Sequence, residues 1–259
     1  VRSSPTVQPI PSDLSANIAR SVEIGKQLYV LDKVAALGTD VLFANEQHPE
    51  KQGVVGYLPL REGDDEGRPR DSFLVSFFTG DQPPRIAYDV RIQPDVQPAF
   101  QAHSPPREVS AEIAALIGAR QAAVAAMPNT HQPVNPVLLP AELMGHSGVL
   151  VYLLAGTKQP DVAVFGKHYR AIVALGGTNV SSMTPLSNTA LEVPTRAPNG
   201  THAEGLWVTH VVTTYPLETH VFTSLLHKKP VYVSTQRGLW RVEGDEISFL
   251  GKVESDPGE

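Results

Sequence analysis

Residues 205–252 (GLWVTHVVTTYPLETHVFTSLLHKKPVYVSTQRGLWRVEGDEISFLGK) constrain the fold most strongly. Three short runs rich in β-branched and aromatic residues, at 230–234, 239–243 and 246–252, are punctuated by Gly238 and by Gly244-Asp245. Strand-sized runs joined by such turns predict an antiparallel meander. Its period places Trp240 and Val242 opposite Ile247 and Phe249. Residues 206–214 read as a preceding strand. Residues 218–227 fit two periods: Val221, Ser224, Leu225 and Lys228 suit a helical turn, whereas THVFTS suits a strand.

The rest of the chain alternates between the two periods. Leu14, Ile18, Val22, Leu28, Leu31, Ala35 and Leu42 recur at helical spacing after a cap at Ser12 or Asp13, predicting a helix over 13–44. Gly25 and Gly38 interrupt it as possible bends. Strands are expected at 53–61, 72–78 and 85–92, the last with one wet face, because Ile86, Tyr88, Val90 and Ile92 alternate with Arg85, Ala87, Asp89 and Arg91. A second, Ala-rich helix follows Ser110, with Ile113, Leu116, Ile117, Val124 and Met127 as its stripe. Residues 129–136 read as a loop, 137–139 as a short strand, 148–155 as a buried strand, 161–175 as further strands and 178–203 as a polar loop. The expected class is α+β, a mostly antiparallel sheet with the long helix and the Ala-rich helix packed on it. The expected organisation is a flexible lead-in over 1–11, a single domain over 12–253 and a tail over 254–259.

Composition removes several functions. The chain has no cysteine, which excludes disulfides, thiolate metal sites, cysteine nucleophiles and iron–sulfur clusters. Its net charge of −6, with no basic run longer than Lys228-Lys229, argues against a nucleic-acid surface. No apolar run approaches the roughly 20 residues of a transmembrane helix. Cysteine avoidance and the polar, proline-bearing start, VRSSPTVQPIPS, fit an exported chain whose signal peptide has been removed, although the start also fits an arbitrary boundary.

Four motifs carry possible chemistry. Gly145-His146-Ser147-Gly148 is near the nucleophile elbow of α/β-hydrolases, but its second glycine comes one residue early and it precedes a strand. His210, His220 and His227, with Glu218, could supply zinc ligands and a base, although their spacing matches no zinc signature. If 218–227 is a strand, Glu218 and His220 share a face and form a carboxylate–histidine pair. In Lys167-His168-Tyr169-Arg170, His168 could titrate and Arg170 could hold an anion; the plainer expectation is a strand with alternate residues in water. Asn179 and Asn199 head N-glycosylation sequons, and the charged run 62–70 reads as a solvated hairpin tip.

The stretches GVLVYLLAGTKQPDVAVFGKHYRAIV, ETHVFTSLLHKKPVYVST and GLWRVEGDEI, with the helix IARSVEIGKQLYVLDKVAALGTDVLF and GARQAAVAA, resemble a group of exported proteobacterial proteins of unassigned function. The resemblance spans 18–251; it departs where the group carries a cysteine after the HYR segment. It implies a periplasmic or secreted location and one continuous domain, and no catalytic residues. The leading expectation is therefore a non-enzymatic binding protein that docks or neutralises a protein partner. The alternative is a metal-assisted hydrolase on His210, Glu218, His220 and His227. A third reading is a small-ligand pocket between the long helix and the sheet, with His168, Arg170 or Trp207 contributing.

Overall fold

A computed structural model describes residues 6–63, 71–128, 133–157, 159–174, 176, 178–196 and 203–252. The sequon at Asn199, most of the charged run 62–70 and the tail 254–259 lie outside them. The class is α+β, with a long N-terminal helix and mostly antiparallel strands. Among the described residues, fourteen strands divide among four sheets.

Helix α1 (Ser15–Asn45), entered through a 3-10 turn at Ser12–Leu14 without a side-chain cap, is the spine that the sheets share. The 3-10 turn and the first turns of α1 place Leu14, Ile18 and Val22 on the sheet β11 (Leu206–Thr209), β12 (Val231–Thr235), β13 (Gly238–Glu243), β14 (Glu246–Gly251). Its middle places Ile24, Leu28 and Leu31 on β5 (Val134–Pro140) and β6 (Val149–Ala155). Its last turns place Val34 and Leu42 on β2 (Phe73–Thr79) and β3 (Ile86–Ile92), which lie between β1 (Val54–Arg61) and β4 (Ala99–Arg107). A helix that serves several sheets in turn buries residues along its whole length, so no break is needed at its glycines. Instead, Gly25 and Gly38 are contact points. A Cβ on Gly25 would lie 2.5 Å from the Val221 Cβ, and one on Gly38 would lie 2.8 Å from the Val75 Cβ, so only glycine admits this approach.

Helix α2 (Ala111–Ala126) starts where expected, with the Ser110 hydroxyl accepting from the Ile113 N–H. Ala119 and Ala123 pack against Val151, Leu153, Ala171 and Val173. Those residues belong to β6 and to β8 (Tyr169–Val173), in the sheet β5-β6-β8-β9, where β9 is Val180–Pro185. Because α1 and α2 cover opposite faces, β6 is apolar without alternation. The glycine–histidine–serine motif turns the chain into β6: Gly145, in the left-handed region at φ +75°, ends a 3-10 turn, and Ser147 is exposed.

Several expectations are corrected. Strand β3 has no wet face: β4, which was not expected, brings His103 and Arg107 over Asp89. The buried carboxylate accepts from Ser76 Oγ (2.5 Å) and Arg107 Nε (2.9 Å) and lies 2.8 Å from His103 Nε2. The polar region 178–203 contains β9 and β10 (Glu192–Pro194), the latter paired with β7 (Val162–Val164). Residues 134–136 belong to β5 instead of to a loop. In the lead-in, Gln8 donates from its backbone to Phe249 O at 2.8 Å.

The C-terminal meander forms as read, with Trp240 opposite Phe249 and Val242 opposite Ile247. Gly238 and Gly244 have φ of +145° and +60°. The ambiguous run is helix α3 (Glu218–His227). It is the crossover that lets β11 and β12 run parallel, the exception to antiparallel pairing in this sheet.

Candidate ligand cleft and the histidine cluster behind it

Helicity at 218–227 decides where the candidate residues go. Successive side chains on a helix turn about 100° apart, so Glu218 and His220 leave its axis in different directions and do not pair. Glu218, 3% exposed in the first turn of α3, receives Tyr152 Oη–H at 2.6 Å and Arg170 Nη1–H at 2.7 Å on the same oxygen, Oε1. Tyr152 and Arg170 are register partners on β6 and β8, on the face toward α1 and α3. Burial, and then the Glu218 charge, push the Tyr152 hydroxyl well above its ordinary range. Burial alone would lower Arg170, but Glu218 and Tyr152 more than offset it and raise it. The expectation of a half-wet strand at 167–170 is thereby overturned: Arg170 is an ion-pair partner, and His168 is buried.

His220 holds the start of its own helix. Its Nδ1 accepts from the Leu217 N–H at 2.9 Å, as a glutamate does in a capping box. His168 bridges two strands, with Nδ1 accepting from the Ala155 N–H at 3.0 Å and Nε2 donating to Val164 O at 3.1 Å. His210 Nε2 accepts from the Thr213 N–H at 3.2 Å and fixes the turn after β11. The His210 and His220 rings meet edge to face at 4.9 Å, and Phe165 lies against His220. Burial pushes His168 and His210 down to about 4. It pushes His220 well below its ordinary value, helped by the neighbouring His210 and His168.

A neutral imidazole has one lone pair, and a metal ligand must give it to the metal. In His168, His210 and His220 that lone pair already accepts a backbone N–H. His227 is remote from them, two turns further along α3 than His220, about 10 Å of axial rise. Among the described residues, no group of three or more histidine or acidic side chains has the arrangement to hold a metal ion.

His227 instead faces a cleft of about 380 Å³ between α1, the ends of β5 and β6, β7 and α3. Leu154, Val162, Val164, Phe222 and Leu226 form apolar walls, and Asp32, Asn135 and His227 are prominent polar groups of the lining. Asn135 Nδ2 donates to Asp32 Oδ1 at 3.3 Å. Burial raises the Asp32 carboxyl above the usual range, with Asn135 and Lys33 opposing. Burial and Lys229 lower His227, which keeps its ring neutral. One wall is rigid for a legible reason: Ala155 and Val164, both lining residues, are the two backbone partners of His168.

A pocket between the long helix and a sheet was expected, but neither Arg170 nor Trp207 lines this one. Trp207 is 61% exposed on the outer face of β11, stacked on Tyr232 at 4.3 Å. Asp32 was not anticipated as a site residue, yet its signal was present. Ser21, Gly25, Leu28, Ala35 and Leu42 are buried at helical spacing, and Asp32 occupies the place between Leu28 and Ala35 on that stripe. Asn135 carries no comparable signal. Among the described residues, no helix is long and apolar enough to cross a membrane. No protein-family model, curated protein or solved structure shows significant similarity to the chain.

Proposed function

We propose that the protein is an exported, non-enzymatic binding protein whose ligand site is the cleft between α1, β7 and α3. The observation that carries this reading is a cavity of about 380 Å³ with apolar walls and a half-buried carboxyl, Asp32, raised by its burial, on one side. Small-molecule sites have this size and set polar groups among apolar walls. The buried cluster behind it supports binding over catalysis, since its polar atoms serve the backbone or each other. Hydrolysis on His210, Glu218, His220 and His227 draws no support from an arrangement that sends His227 away, engages the lone pairs of His210 and His220 with backbone N–H groups, and ties Glu218 to Tyr152 and Arg170. Export rests on the cysteine-free composition and the resemblance of the 18–251 sequence.

Saturation-transfer NMR with a library of small amphipathic fragments tests the reading. Leu226 stands at the rim, 39% exposed, so Leu226→Trp fills the cleft without disturbing the core. Fragments that bind the wild type are expected to lose their signal with Leu226→Trp. Unchanged signals in the variant would place binding elsewhere and end the proposal.

A protein partner is the second reading, and the exposed Trp207–Tyr232 stack favours it. Exposed aromatic pairs of this kind anchor protein interfaces. Trp207→Ala is expected to leave stability within about 0.5 kcal/mol while removing a specific band from envelope-extract pull-downs. Identical bands from both proteins would count against it.

A further inference from the structure

We propose that the cleft takes a small organic monocation, its ammonium or guanidinium head on Asp32 and its apolar body against Leu154, Val162, Val164, Phe222 and Leu226. This rests on the cleft being the ligand site. Among the described residues lining it, Asp32 is the one carboxylate. Asp32 has a single hydrogen bond, from the neutral amide of Asn135, and no ion pair with any described residue. Asp32 is half-buried and its carboxyl is raised by burial, so a ligand cation that seats on it gains a charge-assisted hydrogen bond that no described residue supplies. The other side of the cleft offers no competing charge, because His227 is held neutral.

The groups around Asp32 shape the selectivity. Lys33 is its neighbour on α1 and acts on it electrostatically. Tyr57 of β1 feels the Asp32 charge, and Asn135 of β5 fixes one carboxylate oxygen. None of these completes an ion pair with Asp32. An anion would face Asp32 directly, and an uncharged alcohol would leave it uncompensated. Charge therefore sorts ligands of equal size.

The test compares n-hexylamine, n-hexanol and hexanoate by calorimetry and ligand-observed NMR, with wild type, Asp32→Asn and Leu226→Trp. The amine is expected to bind roughly tenfold or more tightly than the alcohol, with hexanoate weakest. Asp32→Asn should erase the amine's advantage while leaving the alcohol unchanged, and Leu226→Trp should weaken both. Amine affinity should also fall as pH falls, because protonation of Asp32 or His227 opposes a cation. Equal binding of amine and alcohol, insensitive to Asp32→Asn but blocked by Leu226→Trp, would overturn the charge class and leave the cleft as a ligand site. Failure of all three probes, or binding indifferent to Leu226→Trp, would overturn the cleft reading and this inference with it.

Discussion

Lowering the pH from 7 to 4.5 is expected to cost the protein on the order of 5 kcal/mol of stability and bring it close to unfolding. His168 and His210 stay neutral in the folded chain down to about pH 4. In the unfolded chain, histidines take up protons near pH 6.5. Between those values the unfolded state binds more protons, so stability is complete above 6.5 and drains away as pH falls toward 4. A pKa moved from 6.5 to about 4 corresponds to roughly 3 kcal/mol per ring when the shift is fully expressed. His220, lowered still further, adds to the same loss. Carboxylates take up protons mostly at the acid end of this window, so the change nearer neutral pH belongs to the histidines. Urea midpoints measured from pH 7.5 to 4.5 read the effect, and imidazole NMR titration assigns it. A flat midpoint across the window, or His168 and His220 titrating near 6.5 in the folded protein, would refute the account.

Glu218→Ala is expected to destabilise the fold by about 3–5 kcal/mol, the usual cost of removing one partner from a buried ion pair. The carboxylate is 3% exposed and serves two groups through one oxygen, so its loss strands the Arg170 guanidinium and the Tyr152 hydroxyl together. It also removes the link between β8 and the start of α3. Glu218→Gln keeps an acceptor for both donors and should cost less, about 1.5–3 kcal/mol for the lost charge. The double variant Glu218→Leu with Arg170→Met should recover much of the loss, because a matched apolar pair strands no charge. Chemical denaturation of the four proteins decides the matter. A loss under about 1 kcal/mol for Glu218→Ala, or a double variant no better than the single, would show that the pair is not the tie between sheet and helix.

These effects arise from residues whose roles were unevenly legible in the sequence. Turns at Gly238 and Gly244, the alternation at 239–249, the cap at Ser110 and the period of α1 are local signals. Each depends on backbone preference or on side chains a few residues apart, so the sequence alone determined the meander, both long helices and the α+β class. It also carried Asp32, a carboxylate set on an apolar stripe.

Tertiary structure decided what depends on neighbours distant in sequence. Residues 218–227 satisfy both periods, and the parallel pairing of β11 with β12, which requires a crossover, selects the helix. That choice parts Glu218 from His220, sends Glu218 to Tyr152 and Arg170, and turns His227 into the cleft. Asp89 looked solvent-facing until β4 covered it with His103 and Arg107. Gly25 and Gly38 read as weak points of a helix and prove to be where Val221 and Val75 press closest. In each case a side chain's burial and partner are set by an element that its own local sequence cannot reveal.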